Sequence, residues 1–354
     1  MKTTNTFIVV SMMGFMFFAS TPMTVAAGGG NQFTCQEHAL SVTLAPDEVT
    51  QYQIVGWLCA KGSLENKTVH VLLSGSTYGS VYWDFPYKPR RYSYVRAASH
   101  SGYATFNIDR IGIGTSDHPL GDEVTVDANA FVVHQIIQAL RSGDIGEVPF
   151  EHVILVGHSL GSSIAIVAAS QYPEDSDGVI LTGWAHNGLI PDGFVESFFP
   201  ANLDPRFSHL NLDDGYVTTV PGARKMFYYL PTAKQEVIDI DEATRETLTS
   251  GEMNTSLPII ESPISQLIEV PVLIIIGQFD VFFCSSDAGC NATTIAEDEQ
   301  DWFSPEACIK VAVVRRSGHD LNLHRNAHAA FAKMLRWADR HVGVDGAKVG
   351  VCSQ

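Results

Sequence analysis

The stretch that most constrains this chain is residues 153–169, VILVGHSLGSSIAIVAA. It opens on a short apolar run rich in β-branched residues, the pattern of a strand buried on both faces of a parallel sheet. It closes on small apolar residues, which suit a helix packed tightly on a sheet. Between them lies Gly157-His158-Ser159-Leu160-Gly161, a Gly-x-Ser-x-Gly turn. A sharp strand-to-helix turn holds its serine in a strained conformation, and side chains two positions either side would collide with neighbouring backbone, hence the glycines. The turn lifts the hydroxyl clear of the sheet and aims the amides at the helix start toward whatever the serine attacks. Five such residues arise by chance in many loops, where the serine is merely structural. A strand before and a helix after make Ser159 a candidate nucleophile.

Either side of this turn the chain keeps a strand–helix rhythm. Residues 38–60 alternate apolar and polar about Ala45-Pro46-Asp47 and predict an antiparallel hairpin. Strands are expected at 69–73, 103–108, 178–183, 271–277 and 310–314, and helices at 90–101, 124–140 and 323–341. In the second helix Val132, Val133, Ile136, Ile137 and Leu140 recur at helical spacing. This alternation predicts an α/β fold with a mostly parallel central sheet flanked by helices. Residues 186–262 break the rhythm with aromatics, prolines and polar residues. They are read as a mostly helical lid inserted into a core made of residues 28–185 and 263–354.

A serine hydroxyl is a weak nucleophile at neutral pH and needs a base, which in turn needs orienting. In open α/β sheets the working groups gather at the carboxyl ends of the strands. Asp280 follows the strand ending at Gly277, and His319 follows the strand ending at Val314. The chain order Ser, Asp, His is that of serine hydrolases built on α/β sheets. His324 and His328 are alternative bases but belong to the following helix. Asp287 or a carboxylate near Asp192 could orient the histidine instead, and Asp320 is expected to face away or cap the final helix. The oxyanion formed in acyl transfer needs amide donors. These are expected from Leu160, next after the nucleophile, and from the Ser74–Gly79 loop, with Ser76 first and Thr77 second. Gly75 and Gly79 permit the close backbone approach such a loop requires.

On these motifs the chain resembles the α/β-hydrolase superfamily over residues 40–342. The resemblance rests on Gly157-His158-Ser159-Leu160-Gly161, on Gln278-Phe279-Asp280, on Ser317-Gly318-His319, and on Asp109-Arg110-Ile111-Gly112-Ile113-Gly114-Thr115-Ser116. The last is similar to a family loop that buttresses the site without reacting. The resemblance implies Ser159 as nucleophile, Asp280 as acid and His319 as base. Where the family often has His-Gly before the oxyanion loop, this chain has Ser74-Gly75 and lacks the histidine that braces it. Family members that attack with an aspartate, such as haloalkane dehalogenases and epoxide hydrolases, differ at the elbow.

The remaining features concern destination. Residues 1–27 read as a secretory signal peptide, with Lys2 ahead of an apolar run and Val25-Ala26-Ala27 at the cleavage position. The run is too short to span a bilayer comfortably, so no stable membrane anchor is expected. Asn66, Asn254 and Asn291 head glycosylation sequons. Six cysteines follow the leader, which suits disulfides in an oxidising compartment. Cys35 with Cys59, Cys284 with Cys290, and Cys308 with Cys352 are the pairings favoured out of about fifteen possible. No Cys-x-x-Cys pair or His/Cys cluster suggests a metal, and no motif suggests a nucleotide, so no cofactor is expected. A net charge of −17 argues against nucleic acid or an anionic membrane as partner.

Together these readings predict a secreted serine hydrolase acting on a small carboxylic ester, lactone or thioester. Acyl transfer or a lyase-type tailoring step could use the same three residues. A non-catalytic binding protein on the same fold is the reading from another class. Trp184, Phe194, Phe198, Phe199 and Tyr228 are available to line a pocket, although most are expected to be ordinary lid core.

Overall fold

The computed structural model describes residues 31–186, 188–284, 288–350 and Cys352. The expected leader and Asp287 lie outside the described residues. Along the chain run β1 (Phe33–Val42), β2 (Tyr52–Lys61), β3 (Val69–Leu73), α1 (Pro89–Tyr92), α2 (Tyr94–His100), β4 (Ala104–Asp109), α3 (Val126–Ser142), β5 (Val153–His158), α4 (Leu160–Gln171) and β6 (Gly178–Thr182). After them come β7 (Phe198–Pro200), β8 (Tyr216–Thr219), α5 (Gln235–Ala243), β9 (Leu248–Thr249), α6 (Ser250–Ser256), β10 (Val272–Gly277), α7 (Ala292–Glu299), β11 (Lys310–Val314) and α8 (Ala327–His341).

Eight strands form one sheet in the order β1-β2-β4-β3-β5-β6-β10-β11. The expected hairpin forms as an antiparallel β1–β2 pair, and β2 meets β4 antiparallel; every other neighbour is parallel. Strand periodicity divides the apolar residues between two faces. On β5, Val153 and Leu155 join one core with α3 and α4, while Ile154 and Val156 join the other with α2 and α8. Full burial of such a side chain is worth ~1.5–3 kcal/mol, which is why β5 carries no polar residue before its turn.

Helix ends explain where the sequence expectations drift. The helix expected over 90–101 is split at Ser93, whose hydroxyl accepts from the Arg96 amide and caps α2. Thr125 caps α3 in the same way, and Gly143, at φ 85°, ends it. The last helix starts at Ala327 because Leu321–Leu323 form a tight turn that carries His324 inward.

The segment between β6 and β10 departs from the expected helical lid. It holds α5, α6 and several single 3-10 turns, but also a three-stranded antiparallel sheet of β7, β8 and β9. Strands of two to four residues are too short for a period of two to show in the sequence.

The structure joins Cys35 to Cys59, Cys284 to Cys290, and Cys308 to Cys352. The first bridge links directly opposed residues of β1 and β2. Asn66, Asn254 and Asn291 are all exposed. No helix among the described residues is long and apolar enough to cross a membrane.

Candidate active site

Ser159 sits between β5 and α4 at φ 53°, ψ −118°, a backbone conformation that a side chain makes costly. Neighbouring structure enforces it. A Cβ at Gly157 would run into the Gly161 backbone, and one at Gly161 would run into the Leu73 carbonyl. The Ser159 amide donates to the Thr182 carbonyl at 2.9 Å, tying the turn to the end of β6. The glycines are therefore dictated by space, and the serine is presented as the sequence implies.

His319 lies beyond β11, and Asp280 lies beyond β10. The His319 Nδ1–H donates to Asp280 Oδ2 at 2.9 Å, while Oδ1 accepts from the Phe282 amide at 3.0 Å. Asp280 is fully buried and His319 is 4 % exposed. Burial works to lower the His319 pKa, but the Asp280 charge and its hydrogen bond outweigh burial and raise it. Ser159 lines the same cavity as His319. Its hydroxyl makes no hydrogen bond among the described residues, so the structure joins the base to the acid and leaves the serine separate.

The alternative residues are otherwise engaged. His324 Nε2 accepts from the amides of Tyr229 and Gly318 at 2.9 and 3.1 Å, and its Nδ1–H donates to the Asp320 carbonyl. Such a ring is a neutral bracket. His328 and Asp192 are exposed. Asp320 neither faces away nor caps α8. Its buried carboxylate accepts from the Tyr78 hydroxyl at 2.6 Å and lies 3.3 Å from His158 Nε2. Burial lifts its pKa from 3.8 to about 6, against the pull of His319 and the Tyr78 hydroxyl.

The loop after β3 is held from below and from the side. Arg110 donates to the carbonyls of Ser74 and Gly75 at 3.0 and 3.2 Å and is ion-paired with buried Glu252. The Ser74 hydroxyl donates to the Tyr78 carbonyl at 2.6 Å, so serine closes the loop where the family often uses histidine. A Cβ at Gly75 would lie 3.1 Å from the Ser159 Cβ, which makes this loop the neighbour of the serine. Ser76 lines the cavity, as does Leu160. The amides of both residues have no acceptor among the described residues. Thr77 is fully buried at φ 60°, with its Oγ1 and carbonyl accepting from Arg224 at 2.9 and 3.3 Å. Thr77 is not among the residues that line the cavity.

Arg224 was not singled out by sequence. It comes from the segment between β6 and β10, is fully buried, and lies 3.9 Å over the Tyr78 ring. It also donates to Asp241 on α5 at 2.8 Å, and that carboxylate accepts from the Tyr228 hydroxyl at 2.8 Å and lies 3.2 Å from the Tyr78 oxygen. Burial keeps Asp241 above the ordinary carboxylate range even though Arg224 pulls it down. The faint sequence signal was an arginine just ahead of the aromatic run Phe227-Tyr228-Tyr229.

The cavity holds about 290 Å³. Trp184, Phe194, Phe198, Phe227, Phe282 and Phe283 form much of its wall. Three of the aromatics proposed from sequence are thus wall residues, whereas Phe199 and Tyr228 are not. No group of residues among those described could hold a metal ion.

Residues 71–334 match the model of the Alpha/beta hydrolase family. No curated protein matches the chain in sequence. Among solved structures it is similar to a putative aryl esterase from Burkholderia cenocepacia (TM-score 0.58, 16 % identity, covering 85 % of this chain and 98 % of that one). It is also similar to a thermophilic esterase from Thermogutta terrifontis (0.56, 15 %, 85 % and 97 %). A third is the thioesterase domain from the curacin biosynthetic pathway (0.51, 19 %, 86 % and 99 %). At such identities these likenesses describe the fold. With the family match spanning most of its length, the chain belongs to the alpha/beta hydrolase family.

Proposed function

We propose that the protein is a secreted serine hydrolase that cleaves a carboxylic ester through an acyl-enzyme on Ser159. The observation that carries this reading is the 2.9 Å His319–Asp280 hydrogen bond, facing the cavity into which the strained turn presents Ser159. His319 Nε2 takes the Ser159 proton as Oγ bonds to the carbonyl carbon, and the carbonyl electron pair moves onto oxygen. The amides of Leu160 and Ser76 donate to that oxyanion. Its collapse breaks the bond to the alcohol oxygen, which leaves with the proton from His319. Water then adds with the same proton traffic and releases the acid. Nucleophile-to-base hydrogen bonds are often long in unliganded enzymes and tighten around substrate. Asp280 keeps Nδ1 protonated, so Nε2 is the free acceptor.

Secretion is supported by the leader-like N-terminus and by three disulfides, which persist in oxidising compartments. Exposed Asn66, Asn254 and Asn291 are the proposed glycosylation positions. The boundary of the inserted segment is proposed at residues 186–262. The test is Ser159→Ala, with turnover of p-nitrophenyl butyrate and labelling by a fluorophosphonate as readouts. Both are expected to vanish while the circular dichroism spectrum and unfolding midpoint are kept. Full turnover in that variant would overturn the proposal.

A further inference from the structure

The charge pattern around the cavity is one-sided. Among the described residues Glu261 is the only carboxylate side chain that lines the cavity, and no lysine or arginine lines it. Glu261 is exposed and has no ion pair or hydrogen bond there, so no cation neutralises it. Near it the mouth is apolar. Leu189, Ile190, Val195 and Leu257 are between 46 % and 68 % exposed, and all four line the cavity. Deeper in, the wall is aromatic, and aromatic faces attract cations and offer nothing to a carboxylate. The protein as a whole carries −17, a field that adds to the same bias.

From this we infer that Glu261 selects the substrate by charge: the site takes a largely apolar ester bearing a positive charge or none, and turns away esters bearing a carboxylate. The inference rests on the hydrolase reading above and deepens it. An apolar body would leave water along the Leu189–Ile190 rim, while a cationic group would meet both the unpaired carboxylate and the aromatic wall. An anionic group would meet a like charge with no lysine or arginine among the described lining residues to offset it.

The experiment compares butyryl esters of choline, of its uncharged carbon isostere neohexyl alcohol, and of γ-hydroxybutyrate. A second series places the same three charges in the acyl chain. The readout is the ratio of kcat/KM values within each enzyme. For the native protein the order expected is cation, neutral, anion in at least one series. Each step should be roughly fivefold, the scale of one unit charge acting across ~4 Å of water. Raising the salt should shrink those ratios. Glu261→Gln should collapse the ratios toward one, and Glu261→Lys should invert them. Equal ratios in the native protein and in Glu261→Gln, in both series, would overturn the inference. That outcome is distinct from failure of the hydrolase reading, in which turnover of every ester would be independent of Ser159.

Discussion

Replacing Arg224 by leucine should injure stability and catalysis together, by amounts the structure lets one work out. The guanidinium is fully buried and donates to Asp241 at 2.8 Å and to Thr77 Oγ1 at 2.9 Å. Removing one partner of a buried ion pair costs about 3–5 kcal/mol, because the other charge is left uncompensated. Here the loss is bounded, since Asp241 keeps the hydroxyl of Tyr228 and can take up a proton. An unfolding free energy lower by ~3 kcal/mol is therefore expected, from a total typically about 5–15. Adding Asp241→Asn to Arg224→Leu should return ~1–2 kcal/mol of it, because the two residues are directly coupled. On the catalytic side, Thr77 is a non-glycine residue at φ 60° beside the proposed oxyanion donor Ser76, and it loses two hydrogen bonds. Misplacement by an ångström or less can cost ~100-fold in rate, so kcat should fall about 10- to 100-fold with KM changed much less. Arg224→Lys can satisfy Asp241 or Thr77 but lacks the fork to hold both. It should recover stability more fully than kcat. The assays are urea unfolding followed by tryptophan fluorescence and steady-state hydrolysis of p-nitrophenyl butyrate. An Arg224→Leu protein with an unchanged midpoint and unchanged kcat would refute the clamp.

Two further outcomes follow from the titrating groups. The acid limb of kcat/KM should report His319, which must be neutral to act as base. Its pKa is lowered by burial and raised by more through Asp280. Asp280→Asn removes the raising influence, so the limb should move to lower pH while the plateau drops by up to ~10⁴; a limb that stays in place would count against the pairing. Asp320 concerns stability. Its carboxyl rises from 3.8 to about 6 on folding, so the folded state binds the proton more tightly than the unfolded one. The associated stability is present below pH 3.8 and is lost as pH climbs to about 6, by ~3 kcal/mol. Asp320→Asn should flatten that decline in thermal midpoint between pH 4 and 7, and an equally steep decline in the variant would exclude this role.

Much of the frame was legible without coordinates, because backbone and apolar periodicity carry it. The Gly157–Gly161 turn needed only the clash any Cβ would cause there, and a short apolar run rich in β-branched residues announces a buried parallel strand. Asp280 and His319, which the structure joins by a hydrogen bond, were singled out because strand ends in such sheets are where side chains converge. The cysteine pairs were reachable for a related reason: Cys35 and Cys59 flank one hairpin, and Cys284 and Cys290 are close in sequence.

Tertiary structure alone decided the rest. Asp320 is next to His319 in sequence, yet whether it faced solvent or Tyr78 depended on a three-residue turn that no periodicity encodes. Arg224 and Asp241 meet Thr77 and Tyr78 across more than a hundred residues of chain, and a buried charge is tolerated only where distant partners arrive to satisfy it. The short strands between β6 and β10 exist because they pair with each other; none is long enough to declare itself alone. Periodicity is a property of neighbours along the chain, whereas charge compensation and cavity shape are properties of neighbours in space.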